Sequence, residues 1–285
     1  MNRLLPILPF LVLCTVPAAA EDYITPADQV PDRPGVRYAD LLRQVIPDLD
    51  DTGSGHLPPG IRHIDGPDMA GETPETLRIV SLEVRTVDAE GRKTLWVLGD
   101  IGDGGTLGTY TLLAVFDDSG VLPRLIDAVE VDSDRLTGFA GDPLRISGTD
   151  EAMLVDSQHS NSSQSYQSET LLFIHHGKLG KIDDFFAFGT RDCTTVQYEN
   201  LDLKATPGGK GFWPITSTVT RSRAGNWEPP SSKGDESPDC IEPEFPADFT
   251  SKTFSDVYIW DEAVDGHRTT STELTTLGDA DQQMF

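Results

Sequence analysis

Val80-Ser81-Leu82-Glu83-Val84-Arg85 alternates apolar and polar side chains, the period of a strand with one buried and one wet face. The same signal spreads outward from it. Glu90-Gly91 is a turn pair, and Thr94-Leu95-Trp96-Val97-Leu98 follows as a short apolar run. A glycine-rich turn, Gly99 to Gly108, leads to Tyr110-Thr111-Leu112-Leu113-Ala114-Val115-Phe116. Asp118-Ser119-Gly120 then turns the chain into Leu125–Val131.

Further strands are expected at Leu144–Ser147, Ala152–Ser157, Thr170–His175, Lys181–Phe188, Asp256–Trp260 and His267–Leu274. Asp265-Gly266, between the last two, suits a type I′ hairpin. Short strands joined by tight turns predict a mainly β body of antiparallel sheets, as a sandwich, a barrel or a propeller-like array. No self-similarity at a 40–50-residue period stands out. One short N-terminal helix is expected over Tyr38–Ile46, where Leu41, Leu42, Val45 and Ile46 share a face and Pro47 stops it.

The chain divides into three stretches. Residues 1–20 read as a signal peptide, 21–76 as an N-terminal arm with the helix and a loop, and 77–285 as the β body. Within that body, 194–250 reads as a disulfide-pinned loop. The signal has one charge at Arg3, an apolar core from Leu4 to Val16, and Ala18-Ala19-Ala20 where a signal peptidase reads small residues. That core is too short to cross a hydrocarbon layer of ~30 Å. Leu13 before Cys14 fits a lipoprotein signal poorly, so cleavage before Glu21 is expected. The expected product is secreted or periplasmic, with no stable membrane insertion after cleavage.

Cleavage removes Arg3 and no acid, so a net charge of −25 becomes −26. Such a surface repels nucleic acid and anionic lipid. Scattered acids mainly serve solubility. Cys193 and Cys240 remain, an even pair in an exported chain, and read as a disulfide. Closing that loop is worth about 4 kcal/mol in the chain-entropy model. Between them, Pro229, Pro230, Pro238, Pro243 and Pro246 interrupt a polar stretch that buries little apolar surface.

Five constellations are candidates for chemistry. Asp48-Leu49-Asp50-Asp51-Thr52-Gly53 opens like a calcium loop, but position twelve is Pro59 where a bidentate Glu belongs, so a turn is expected. Asp100 and Asp103 offer two carboxylates in a glycine-rich loop, a weak calcium candidate. No other cofactor is implied. His159, Asn161, Gln164 and Tyr166 lie on a polar hairpin tip suited to hydrogen-bonding a sugar or another polar ligand, and Asn161-Ser162-Ser163 fits a glycosylation acceptor. His175-His176 should point to opposite faces of a strand and so miss a common metal. Among the tryptophans, Trp96 and Trp260 read as core. Trp227 sits on the pinned loop, where it suits stacking on a carbohydrate or a protein partner.

No nucleophile–base pair or nucleophile elbow is present in the sequence. The expected function is therefore a non-catalytic binding or structural module with a polar ligand or protein partner. The alternative is a secreted hydrolase of glycans or phosphoesters that works through paired carboxylates.

Overall fold

The computed structural model describes residues 23–69, 76–101, 110–134, 136–161, 164–191, 195–209, 211–225, 249–269 and 271–283. It is mainly β, with two sheets in which antiparallel pairing dominates. The first sheet is built around a meander of β3 (Leu77–Ala89), β4 (Arg92–Ile101), β5 (Thr111–Asp117) and β6 (Arg124–Val131). Two short strands flank it: β1 (Ser54–Gly55) beside β3, and β2 (Arg62–His63) parallel to β6.

The second sheet is an unbroken meander of eight strands. It runs through β7 (Leu136–Arg145), β8 (Glu151–Ser160), β9 (Gln164–His175), β10 (Lys178–Arg191), β11 (Thr195–Ala205), β12 (Ile215–Gly225), β13 (Thr250–Asp261) and β14 (Gly266–Thr269). It curls strongly enough for β7 to come beside β11.

The apolar run at Thr94–Leu98 explains the layering. Leu95 and Val97 enter one core with Leu41, Leu42 and Ile46 from the N-terminal segment. Trp96 and Leu98 enter a second core with Met153, Val155, Leu172 and Ile174 of the curled sheet. A strand covered on both faces carries a continuous apolar run instead of an alternating one. The Trp96 indole N–H donates to Thr94 Oγ1 at 3.0 Å, and Thr94 Oγ1 donates to the Val87 carbonyl at 2.6 Å, so this core holds no orphaned indole. Leu171 and Phe173 face the opposite way from Leu172 and Ile174. They join a third core with Ile215, Val219, Tyr258 and Leu274. The result is sandwich-like, with cores above, between and below the two sheets.

Turn chemistry sets two hairpins. Glu90 and Gly91 both take positive φ, as do His176 and Gly177, and in each case the flanking residues pair directly. These are two-residue I′ connections.

Several sequence expectations are corrected. The helix α1 covers only Tyr38–Leu42; from Arg43 the chain tightens into turns before Pro47. Gly266 does not lie in a two-residue turn: residues 262–265 form the loop, and Asp265 alone takes positive φ. The strand expected over His267–Leu274 ends at Thr269, and a C-terminal helix, α2 (Glu273–Gln282), follows. The stretch 194–250, expected as a pinned loop, contains β11 and β12, which pair along their whole lengths. Cys193, Cys240 and Trp227 lie outside the described residues.

Candidate functional site

The end of the curled sheet near the β8–β9 hairpin holds a groove of about 930 Å³. Its walls come from the consecutive strands β7 to β11, which the curl bends around it until β7 lies beside β11. Gln158, Gln167 and Asn200 supply amides, and Ser160 and Ser165 supply hydroxyls. Tyr166, Tyr198 and Phe188 add aromatic surface. Tyr198 stacks on Phe249 with centroids 6.1 Å apart and planes 28° apart, forming a partly exposed aromatic ledge. The described lining contains no Lys or Arg.

His159 and Tyr166 pair across β8 and β9, with rings stacked at 5.7 Å and 7°. Asp134, on the crossover from the first sheet, joins them: His159 Nδ1 lies 3.0 Å from its Oδ1, and the Tyr166 hydroxyl donates to its Oδ2. Burial first, then the bond to Asp134, pushes the Tyr166 hydroxyl up to about 12. Tyr166 therefore stays a neutral donor at any physiological pH. It also borders a second hollow of about 330 Å³ with Asp132, Asp134, Ser157 and Ser168.

Of the sequence-predicted ligand residues, the fold brings His159 and Tyr166 together at the groove. Asn161 and Gln164 close the hairpin instead: Asn161 Oδ1 accepts from the Gln164 backbone N–H at 2.8 Å, and the Asn161 N–H donates to the Gln164 carbonyl at 2.8 Å. Gln158, Gln167, Tyr198 and Asn200 were missed by the sequence reading. They lie among polar strand residues that carry no motif, and only the folded sheet reveals their common wall.

Behind the groove lies a carboxylate pair. Asp156 of β8 stands opposite Glu169 of β9. Asp156 Oδ2 accepts from the amides of Gln158 and Gln167, the latter at 3.4 Å. Asp156 Oδ1 and Glu169 Oε2 are shut off from water and have no hydrogen-bond partner among the described residues. Burial, and then the charge of Asp156, lifts the Glu169 carboxyl to about 7. Burial also raises Asp156, against the hydrogen bond from Gln158.

The acidic loop candidates are occupied by local structure. Asp50 Oδ1 accepts from the N–H groups of Thr52 and Ser54 at 2.8 and 3.0 Å, an Asx-type turn. Asp48 takes His56, and Asp51 takes Arg37 and Arg43. Asp100 sits exposed on β4 opposite Thr111, while Asp103 lies outside the described residues. His159 faces Asp134.

Among the described residues no helix is long and apolar enough to cross a membrane. Compared with protein-family models, with curated proteins and with solved structures, this chain finds no match.

Proposed function

We propose that this chain is an exported, non-catalytic module that binds a neutral polar ligand, of the kind an oligosaccharide presents, in the groove at the open end of the curled sheet. One observation carries the reading: amides, hydroxyls and an aromatic ledge line an extended hollow with no cationic side chain among the described residues of its wall. Amides fix hydroxyl-rich ligands by paired donors and acceptors, and a tyrosine face stacks on the apolar face of a sugar. Among the described lining residues an anionic ligand finds no counter-charge, and the protein's net charge of −25 opposes its approach.

The Asp156–Glu169 pair favours a second reading, glycoside hydrolysis. One protonated and one ionised carboxyl is the arrangement such chemistry uses. The reading ranks lower because the unpartnered oxygens are closed off, with no path for a glycosidic bond to reach them.

A panel of cello-, xylo-, chito- and malto-oligosaccharides, titrated calorimetrically into the mature protein and then assayed for released reducing ends, separates the readings. Binding without new reducing ends is expected. Turnover that is lost in Glu169→Gln would replace the binding module with the hydrolase.

A further inference from the structure

Two turns meet on the opposite side of the curled sheet from the groove's hairpin. One is the β9–β10 connection, His176-Gly177; the other is the 262–265 loop between β13 and β14. In hydrogen-bond order β11 and β12 lie between these hairpins, so only the curl brings them together. His175 Nε2 lies 2.8 Å from Asp265 Oδ1, and His176 Nε2 lies 3.5 Å from Asp265 Oδ2. One ligand atom from each of the three residues falls within 4.8 Å of the others. We infer that His175, His176 and Asp265 form a binding site for a divalent transition ion of the zinc class, which staples the two hairpins together.

Strand alternation should separate adjacent histidines. It fails here because His176 has left the strand: it is the first residue of a I′ turn, with φ 52°. Its ring swings to within 3.9 Å of the His175 ring, centroid to centroid. Zinc bonds nitrogen and carboxylate oxygen at about 2.0–2.2 Å, so its ligands stand roughly 3.3–3.5 Å apart. The present spacing needs only small side-chain rotations to reach that.

His175 is held from behind by Trp260 and Phe212, with ring centroids 4.9 and 5.4 Å away, an apolar shell that orients the imidazole. Next to it, His267 packs on Trp260, and both its ring nitrogens lack a hydrogen-bond partner among the described residues. Two imidazoles and one carboxylate suit zinc, cobalt or nickel; calcium prefers oxygen alone. Three protein ligands leave at least one position to water, since Asp265 and His176 face solvent.

Among the described residues, the second three-residue cluster, His63, Asp65 and Asp132, is already committed. His63 Nδ1 accepts the Asp65 backbone N–H at 3.2 Å, and Lys181 bonds Asp65.

The test is zinc titration of the mature, thiol-blocked protein by calorimetry, with melting followed in parallel. His176→Asn and Asp265→Asn are the chosen variants, because asparagine tolerates the positive φ at both positions and so spares the turns. The expected result is one zinc per chain and an upward melting shift. Each variant should weaken affinity by at least about tenfold, and His63→Ala should bind as the parent does. Failure of zinc to bind, full binding in both asparagine variants, or loss only in His63→Ala would each overturn the assignment.

Discussion

Asp156 and Glu169 face each other across β8 and β9, and each keeps one carboxylate oxygen shut off from water without a hydrogen-bond partner among the described residues. Two like charges at that range in a buried setting do not both ionise readily, so near neutrality the pair holds a proton. The pair joins the second sheet's interior to the groove through Gln158 and Gln167.

This pair predicts a pH dependence. Glu169 has its folded pKa lifted from an ordinary 4.5 to about 7, so between those values the folded state binds the extra proton. Its favourable contribution is complete below about pH 4.5. It is lost as pH rises toward 7, by about 3 kcal/mol at most. Glu169→Gln keeps a neutral side chain at every pH. Its melting temperature should exceed the parent's at pH 8 and match it near pH 5. Parallel pH profiles for the two proteins would refute the buried-proton account.

A second prediction concerns α2. Arg221 of β12 bonds Glu199 on the adjacent strand and reaches Asp281 of α2 at 2.5 and 2.6 Å. Both carboxylates are fully covered. Burial, then the charge of Glu199, raises Asp281 to about 6, with Arg221 opposing. Removing the cation strands two buried carboxyls. Arg221→Ala should cost about 3–5 kcal/mol in denaturant unfolding. It should also speed hydrogen exchange in 273–282 ahead of the strands. Unchanged exchange there would show that α2 is held by Leu274 and Leu277 alone.

A third prediction separates two glycines with similar backbone angles. Gly53 has φ +84°, and a Cβ on it would stand 2.2 Å from the Ile79 carbonyl oxygen, beside the bond from Ile79 N–H to Gly53 O. Gly35 has φ +81° and open space around it. Gly35→Ala should cost about 1 kcal/mol, from backbone strain alone. Gly53→Ala should exceed about 2 kcal/mol and disturb the seat of β1 on β3. Equal losses in chemical denaturation would remove the steric explanation.

The sequence made the β class legible because turn chemistry and apolar runs agree at Glu90-Gly91, Thr94–Leu98 and Tyr110–Phe116. It hid β12, whose Thr216, Ser217, Thr218, Thr220, Arg221, Ser222 and Arg223 leave Val219 nearly alone as an apolar mark; Ser217 and Ser222 are nonetheless buried. Curl, not composition, covers that strand. The groove was half legible for the same reason. His159 and Tyr166 are near in sequence, whereas Tyr198 and Asn200 arrive from β11. Strand alternation does not govern the His175–His176 pair, because His176 takes the positive φ of a turn just past the end of β9.

The expected Cys193–Cys240 disulfide falls on residues outside the described ones. β11 and β12 pair Thr195 with Gly225, and β12 and β13 pair Arg223 with Thr250. As the even cysteine pair of an exported chain, Cys193 and Cys240 are expected to bridge. Intact-mass measurement of the oxidised mature protein should show no free thiol, and reductant should open new protease sites in 226–249 only. Two alkylatable thiols in the oxidised protein would rule the bridge out.

Binding of an uncharged polar ligand in the groove is measured by a calorimetric isotherm with the best oligosaccharide of the panel. Gln158→Ala and Tyr198→Ala remove one amide and the ledge, and each should weaken binding by about 1–3 kcal/mol. Val121→Ala, at an exposed turn residue outside the groove wall, should bind as the parent does. Parent-like affinity in both groove variants, or no binding by any oligosaccharide of the panel, would contradict the assignment.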